Sequence, residues 1–133
     1  MIDGFDSLFA AARAARDNAY APYSGFTVGS ALRAGSGRIY AAGNVENAAY
    51  PVGTCAEAGA ISAMIAAGDR EITEILVVAA SAEPVMPCGA CRQRIFEFAA
   101  SETRVHSAGI EGLRTSIALS DLLPHAFGPK SLV

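Results

Sequence analysis

Three cysteines, all that the 133-residue chain contains, fall as Cys55 and as the pair Cys88 and Cys91, with Glu57 two places after the first. The segments read Thr54-Cys55-Ala56-Glu57 and Pro87-Cys88-Gly89-Ala90-Cys91. Thiolates are strong zinc ligands, and three protein ligands leave the fourth tetrahedral position to water, as hydrolytic zinc requires. Cys88 and Cys91, three apart, project from one side of a helix's first turn and can hold one ion, with Cys55 supplying a third sulfur from elsewhere. Both clusters stand where a loop becomes a helix. The free N–H groups and partial positive charge there are expected to stabilise thiolates and lower cysteine pKa values. Glu57 sits close to such a metal without needing to coordinate it, so its carboxylate can take a proton from water and hand it to a substrate. A closed zinc staple would call for a fourth Cys or His. Neither His106 nor His125 has ligand spacing to a cysteine, and both read as packing or surface residues. Redox use of Cys88 and Cys91 would leave Cys55 and Glu57 unexplained.

These residues need a scaffold, and the bulk composition limits which one. The length suits one domain, over 1–133, with a core of its own. Hydrophobic residues make up 52% and charged residues 17% of the chain, and the mean hydropathy is +0.32. That apolar balance predicts that some of the surface is covered by other subunits. No apolar run reaches the length of a membrane span. Asp3 and Asp6 stand where a secretory signal would be basic, so no export signal is expected. An odd cysteine count fits a reducing cytoplasm better than a disulfide framework. The net charge of −3 and pI near 5.3 argue against holding a phosphate backbone. A small-molecule substrate is expected, with no nucleic acid and no membrane.

Helical spacing of Phe5, Leu8, Phe9, Ala12 and Ala15 opens the chain, with Arg13 and Arg16 facing outward and Pro22 closing the element. Two strands follow, over 26–32 and 38–45, joined as a hairpin across Ala34-Gly35-Ser36-Gly37. The apolar stretch 55–67 predicts a buried helix stopped by Gly68. Residues 75–80 form a continuous apolar run, as expected of a central strand covered on both faces. A second helix is expected over 88–99, then strands over 104–108 and 117–119. Ser120 is read as the cap of a last short helix. Hairpin strands followed by β–α alternation predict an α/β domain, a mixed sheet with helices on its faces.

The chain closely resembles the cytidine deaminase family, in its short, three-cysteine, homotetrameric branch. The resemblance is carried by Ala19-Tyr20-Ala21-Pro22-Tyr23-Ser24-Gly25-Phe26-Thr27-Val28-Gly29 and by Gly43-Asn44-Val45-Glu46-Asn47-Ala48-Ala49-Tyr50. It continues through both cysteine motifs, Arg92-Gln93, and Leu122-Leu123-Pro124-His125-Ala126-Phe127-Gly128, and so covers nearly the whole chain. It implies a three-layer α/β/α fold with a five-stranded mixed sheet and one zinc per subunit on Cys55, Cys88 and Cys91. Glu57 would be the catalytic proton carrier. Asn44 and Glu46 would bind the ribose hydroxyls, Phe26 would wall the pocket, and the backbone around Ala56 would read the base edge. Phe127 would reach into a neighbouring subunit's site. The implied reaction is deamination of cytidine and deoxycytidine with release of ammonia, as in pyrimidine salvage. One position departs from the family, which commonly has Arg directly after the catalytic Glu. Here it is Ala58, as in blasticidin S deaminase-like proteins, which lack that Arg too. The departure leaves a related amino-heterocycle, blasticidin S or a modified cytosine, as the alternative substrate. Zinc with three thiolates carries a net charge of about −1 and gains from a nearby cation. Arg92, Arg94 or the helix N-termini alone are the candidates to supply it.

Overall fold

The computed structural model describes residues 4–132. Asp3, part of the acidic N-terminal reading, lies outside them. In chain order the elements are α1 (Phe5–Asp17), β1 (Val28–Ala34), β2 (Ile39–Gly43), α2 (Ala56–Ala66), β3 (Ile72–Ala79), α3 (Gly89–Phe98), β4 (Ala99–Gly109), β5 (Gly112–Ala118) and the single turn α4 (Leu119–Leu122). The strands form one sheet in the order β2-β1-β3-β4-β5. Only β3 and β4 run parallel, with α3 in the crossover between them; the other neighbours pair antiparallel. The sheet is mixed and five-stranded, as expected.

Alternation along β1 and β3 sends apolar side chains to both faces. On one face Ala31, Leu76, Val78 and Ala108 meet Phe5, Leu8 and Ala12 of α1. On the other, Leu32, Ile75 and Val105 meet Ala60, Ile61 and Met64 of α2, Ile95 of α3 and Leu119 of α4. The apolar run at 75–79 is therefore the central strand of a three-layer α/β/α sandwich. Gly29 lets α1 lie against β1, because a Cβ there would run into the Ala12 carbonyl oxygen.

A polar tie crosses the α1 side of the sheet. His106 is 1% exposed; its Nε2 lies 3.0 Å from Glu74 Oε2 and its Nδ1 3.0 Å from Ser116 Oγ. Glu74 also accepts from Arg33 Nε at 3.1 Å. The Phe5 ring meets the imidazole edge-on at 6.3 Å between centroids. His106 is thus a packing residue with both ring nitrogens occupied, in line with the reading from sequence.

Several boundaries differ from expectation. The first strand begins at Val28, which leaves Phe26 in the preceding loop. The first helix ends at Asp17, well before Pro22, and Arg16 turns inward to donate from Nε to the Thr27 carbonyl at 3.1 Å. The helix after Cys55 is only half-buried. Its Ser62, Ala63 and Ala66 face solvent because the helix forms an outer layer and meets the sheet along one side. The fourth strand starts at Ala99, directly from α3, and the fifth spans 112–118. The last helix begins at Leu119 with Ala118 in the cap position, so Ser120 does not cap it.

Candidate active site

Cys55 and Cys88 are the N-cap residues of α2 and α3, each with extended backbone dihedrals, and Cys91 is the third residue of α3. Both helices rest on the same face of the sheet. Their N-termini bring the three sulfurs within 4.8 Å of one another. Tetrahedral zinc with Zn–S bonds of about 2.3 Å needs sulfurs about 3.8 Å apart. The sulfurs are close enough together for that geometry, and an all-thiolate donor set suits the metal. No other group of three or more His, Cys, Asp or Glu side chains among the described residues is clustered in this way.

The thiols are not equivalent. The Cys88 thiol is lowered, chiefly by the Cys91 backbone N–H, with the Ala90 N–H adding to it. That is the helix-terminus effect expected from sequence. Cys55 and Cys91 go the other way, because burial raises both. For Cys91 the neighbouring Glu57 charge adds to the rise. In the metal-free protein desolvation outweighs the helix terminus at Cys55 and Cys91, so the lowering expected of the cysteines is seen at Cys88 alone.

Glu57 belongs to the first turn of α2 and is 5% exposed. Burial raises its pKa, and its own backbone amide and the Arg94 charge oppose that rise. It is a buried carboxyl beside the sulfurs and is not one of the metal-binding cluster. Arg94 Nη1 donates to Cys91 Sγ at 3.3 Å. Arg92 is committed to the backbone, its Nε donating to the Pro87 carbonyl at 2.7 Å and its Nη1 to the Leu122 carbonyl at 3.0 Å. It braces the loop that enters α3.

A cleft of about 420 Å³ opens beside Cys55, within the size range of small-molecule sites. Asn44, Glu46 and Thr54 line it with Cys55, and so do Tyr23, Ser24 and Tyr50. Val45 holds this wall in place through bridges to Tyr20 on one side and Thr54 on the other. The carboxylate of Glu46 accepts from the Tyr23 and Ser24 amides at 3.0 and 3.1 Å, and from the Ser24 hydroxyl. The Ser24 hydroxyl above all, with these amides, holds the Glu46 carboxyl below its ordinary value. The Asn44 side chain spans the loop before β1, donating to the Phe26 carbonyl and accepting from the Val28 amide, both at 2.9 Å. Both residues thus fasten the 23–28 loop as well as facing the cleft. Each keeps hydrogen-bonding capacity, since an amide nitrogen has two hydrogens and a carboxylate has about four acceptor positions.

Ala56 is buried beside Cys55, at 1% exposure. Phe26 and Phe127 are exposed and stand outside the cleft lining, although the Phe127 carbonyl is held by Gln93 Nε2 at 2.7 Å. Tyr23, Ser24 and Tyr50 were not singled out from sequence as cleft residues. Their signal lay in the motifs around Tyr23 and Asn44, where polar and aromatic side chains cluster without strand alternation.

An α/β/α sandwich with three cysteines at two helix N-termini and a buried carboxyl beside them defines a metal-centre domain with a small-molecule cleft. Residues 5–107 match the family model described as the cytidine and deoxycytidylate deaminase zinc-binding region, and the chain belongs to that family. It is 42% identical over 113 residues to a cytidine deaminase of Halalkalibacterium halodurans, covering 85% of this chain and 86% of the relative. It is 41% identical over 127 residues to that of Sporosarcina psychrophila, covering 96% and 93%. The crystal structure of a cytidine deaminase from Burkholderia pseudomallei superposes with a TM-score of 0.86 at 41% identity, over 96% of this chain and all of that one.

Proposed function

We propose that the protein catalyses hydrolytic deamination of cytidine and deoxycytidine to uridine and deoxyuridine, releasing ammonia. The observation that carries this reading is the buried Glu57 beside three convergent sulfurs, at the edge of a cleft that also presents Asn44 and Glu46. Cys55, Cys88 and Cys91 would hold zinc, which when bound supplies a Lewis acid that brings the pKa of water down to about 7. Glu57 takes one proton from the attacking water and delivers it to ring N3 as the water oxygen bonds to C4. It then takes the second water proton from the C4 hydroxyl and gives it to the amino group, so that the C4–N bond breaks, ammonia leaves and the C4 carbonyl forms. Its burial suits this duty, because the raised pKa makes the carboxylate a stronger base toward water while it remains able to return the proton. Ala56 offers its backbone to the base edge. Asn44 and Glu46 take the sugar hydroxyls with the capacity left over from fastening the 23–28 loop. Phe26, which stands outside the cleft lining of the single chain, is proposed to wall the pocket from that loop.

The protein is proposed to act in pyrimidine salvage in the cytoplasm as a homotetramer, with Phe127 of each subunit reaching a neighbour's site. The exposed apolar side chains of Tyr50, Val52, Phe127 and Leu132 support such covering by other subunits. Among the described residues no helix is long and apolar enough to cross a membrane.

An ultraviolet assay with cytidine, deoxycytidine, free cytosine and blasticidin S tests the substrate reading. Turnover of the two nucleosides, and neither of the others, is the expected result. Preference for blasticidin S would favour the alternative amino-heterocycle substrate, and inactivity on all four would overturn the proposal. Sedimentation at assay concentration tests the tetramer, which a monomeric mass would refute.

A further inference from the structure

We infer that Arg94 is the cation that balances the three-thiolate metal set of this chain, acting as a positioning and charge-compensating residue through Cys91. The inference rests on the metal-site reading above. Three thiolates around a divalent ion leave a net charge of about −1, and a buried carboxylate beside them adds to the negative charge. The helix N-termini serve the three sulfurs unequally. Cys88 is the N-cap residue, so the free amides of Ala90 and Cys91 face its sulfur. Cys91 lies inside the helix, at a position where no free amide is directed back at its side chain. It is also fully buried, whereas Cys88 is exposed and open to water. The sulfur with the least help from solvent and backbone is therefore Cys91.

Arg94 meets that need. Three residues further along α3, it shares the face of Cys91, and its Nη1 donates to Cys91 Sγ at 3.3 Å. Arg94 itself is exposed, so its bulk charge is screened and the hydrogen bond onto the buried sulfur carries the effect. Arg92, the other candidate on this helix, is occupied by two backbone carbonyls. The position after Glu57, Ala58, offers no side-chain donor. The compensating donor therefore comes from the second helix, not the first. By drawing electron density from the Cys91 sulfur, Arg94 limits how far three thiolates weaken the bound ion as a Lewis acid.

The test compares wild-type protein with R94M, R94Q and R94K. Zinc content, zinc affinity against a chromogenic chelator, and the sulfur-to-metal charge-transfer band of the Co(II)-substituted protein are read for each. R94M and R94Q are expected to bind zinc about 10- to 100-fold more weakly. They should also shift the charge-transfer band to lower energy, because the Cys91 sulfur loses its donor. R94K, a cation without the planar fork, should recover part of both. Wild-type affinity and an unmoved band in either neutral variant would overturn the inference, and so would R94K behaving like R94M. Apoprotein melting curves show whether each variant folds, and R94Q carries the comparison should R94M fold poorly. Wild-type protein that fails to take up one zinc per chain would overturn the metal-site reading instead, so the two failures are distinct.

Discussion

Replacing Glu57 by Gln changes almost nothing but charge and the ability to carry a proton. The side chain is 5% exposed, and Gln has nearly the same volume, so the packing of α2 on the sheet is retained. General acid–base catalysis by one positioned group contributes about 10²- to 10⁴-fold, or about 2.7 to 5.4 kcal/mol at 1.36 kcal/mol per decade. Glu57 is proposed to move a proton more than once in each turnover, so the loss in kcat should lie toward the upper end of that range. Zinc content should not fall, because the variant removes a negative charge from beside three thiolates. Stability should not fall either. In the zinc-free protein burial raises the Glu57 pKa, so its ionised form is disfavoured by folding and stability is lost as pH rises through the raised value. A neutral amide removes that penalty. Steady-state ultraviolet kinetics with metal analysis on the same preparations give the answer. A zinc-loaded variant within about threefold of wild-type kcat would refute the proton-carrier role. A variant that loses zinc and activity together would instead place Glu57 among the determinants of metal binding.

Other expectations concern the scaffold. E46Q should speed hydrogen exchange at the amides of Tyr23 and Ser24, which the carboxylate accepts from. The lowered Glu46 pKa means that its contribution is complete above the ordinary value of 4.5 and is lost as pH falls through the lowered one. The melting temperature of the wild type should therefore drop more steeply in that acid range than that of E46Q; parallel curves would refute the linkage. I95A removes a fully buried side chain on the helix that carries Cys88 and Cys91. It should cost about 2–5 kcal/mol by urea unfolding, with part restored by excess zinc through mass action. G29A should lower the melting temperature markedly, because the new methyl collides with the Ala12 carbonyl. An unchanged melting temperature would mean that α1 can move off the sheet at little cost.

The chemistry-bearing part of this protein was the most legible in sequence, since ligand type and spacing are local. The mixed sheet followed from the hairpin strands and the β–α alternation after them, and its count of five strands from the family resemblance. What spacing could not supply was direction. Arg92 and Arg94 are alike on paper, yet one turns to backbone carbonyls and the other to a sulfur. The first residues of β4, Ala99 to Thr103, lack strand alternation and extend only because α3 runs straight into them. Asn44 and Glu46 stand in a loop motif, and their double role, toward loop amides and toward the cleft, depends on where the 23–28 segment folds back. The thiol pKa values depended on depth, which a helix-cap argument does not contain.

The order of the strands has a consequence for how the protein assembles. The sulfurs come from helices on either side of β3 in the chain, and β3 sits between β1 and β4 in the sheet. α2 packs on the β1–β2 hairpin that precedes it as well as on β3, but α3 lies in the crossover to β4 and is fixed only once β4 has paired with β3 in parallel. Such long-range pairing forms late in folding. A growing chain would therefore carry Cys55 for some time without its two companions, and tight metal capture would wait for the parallel pair to close. Zinc uptake during refolding would then track the formation of the sheet's middle, which makes the ion a kinetic reporter of topology as well as a cofactor.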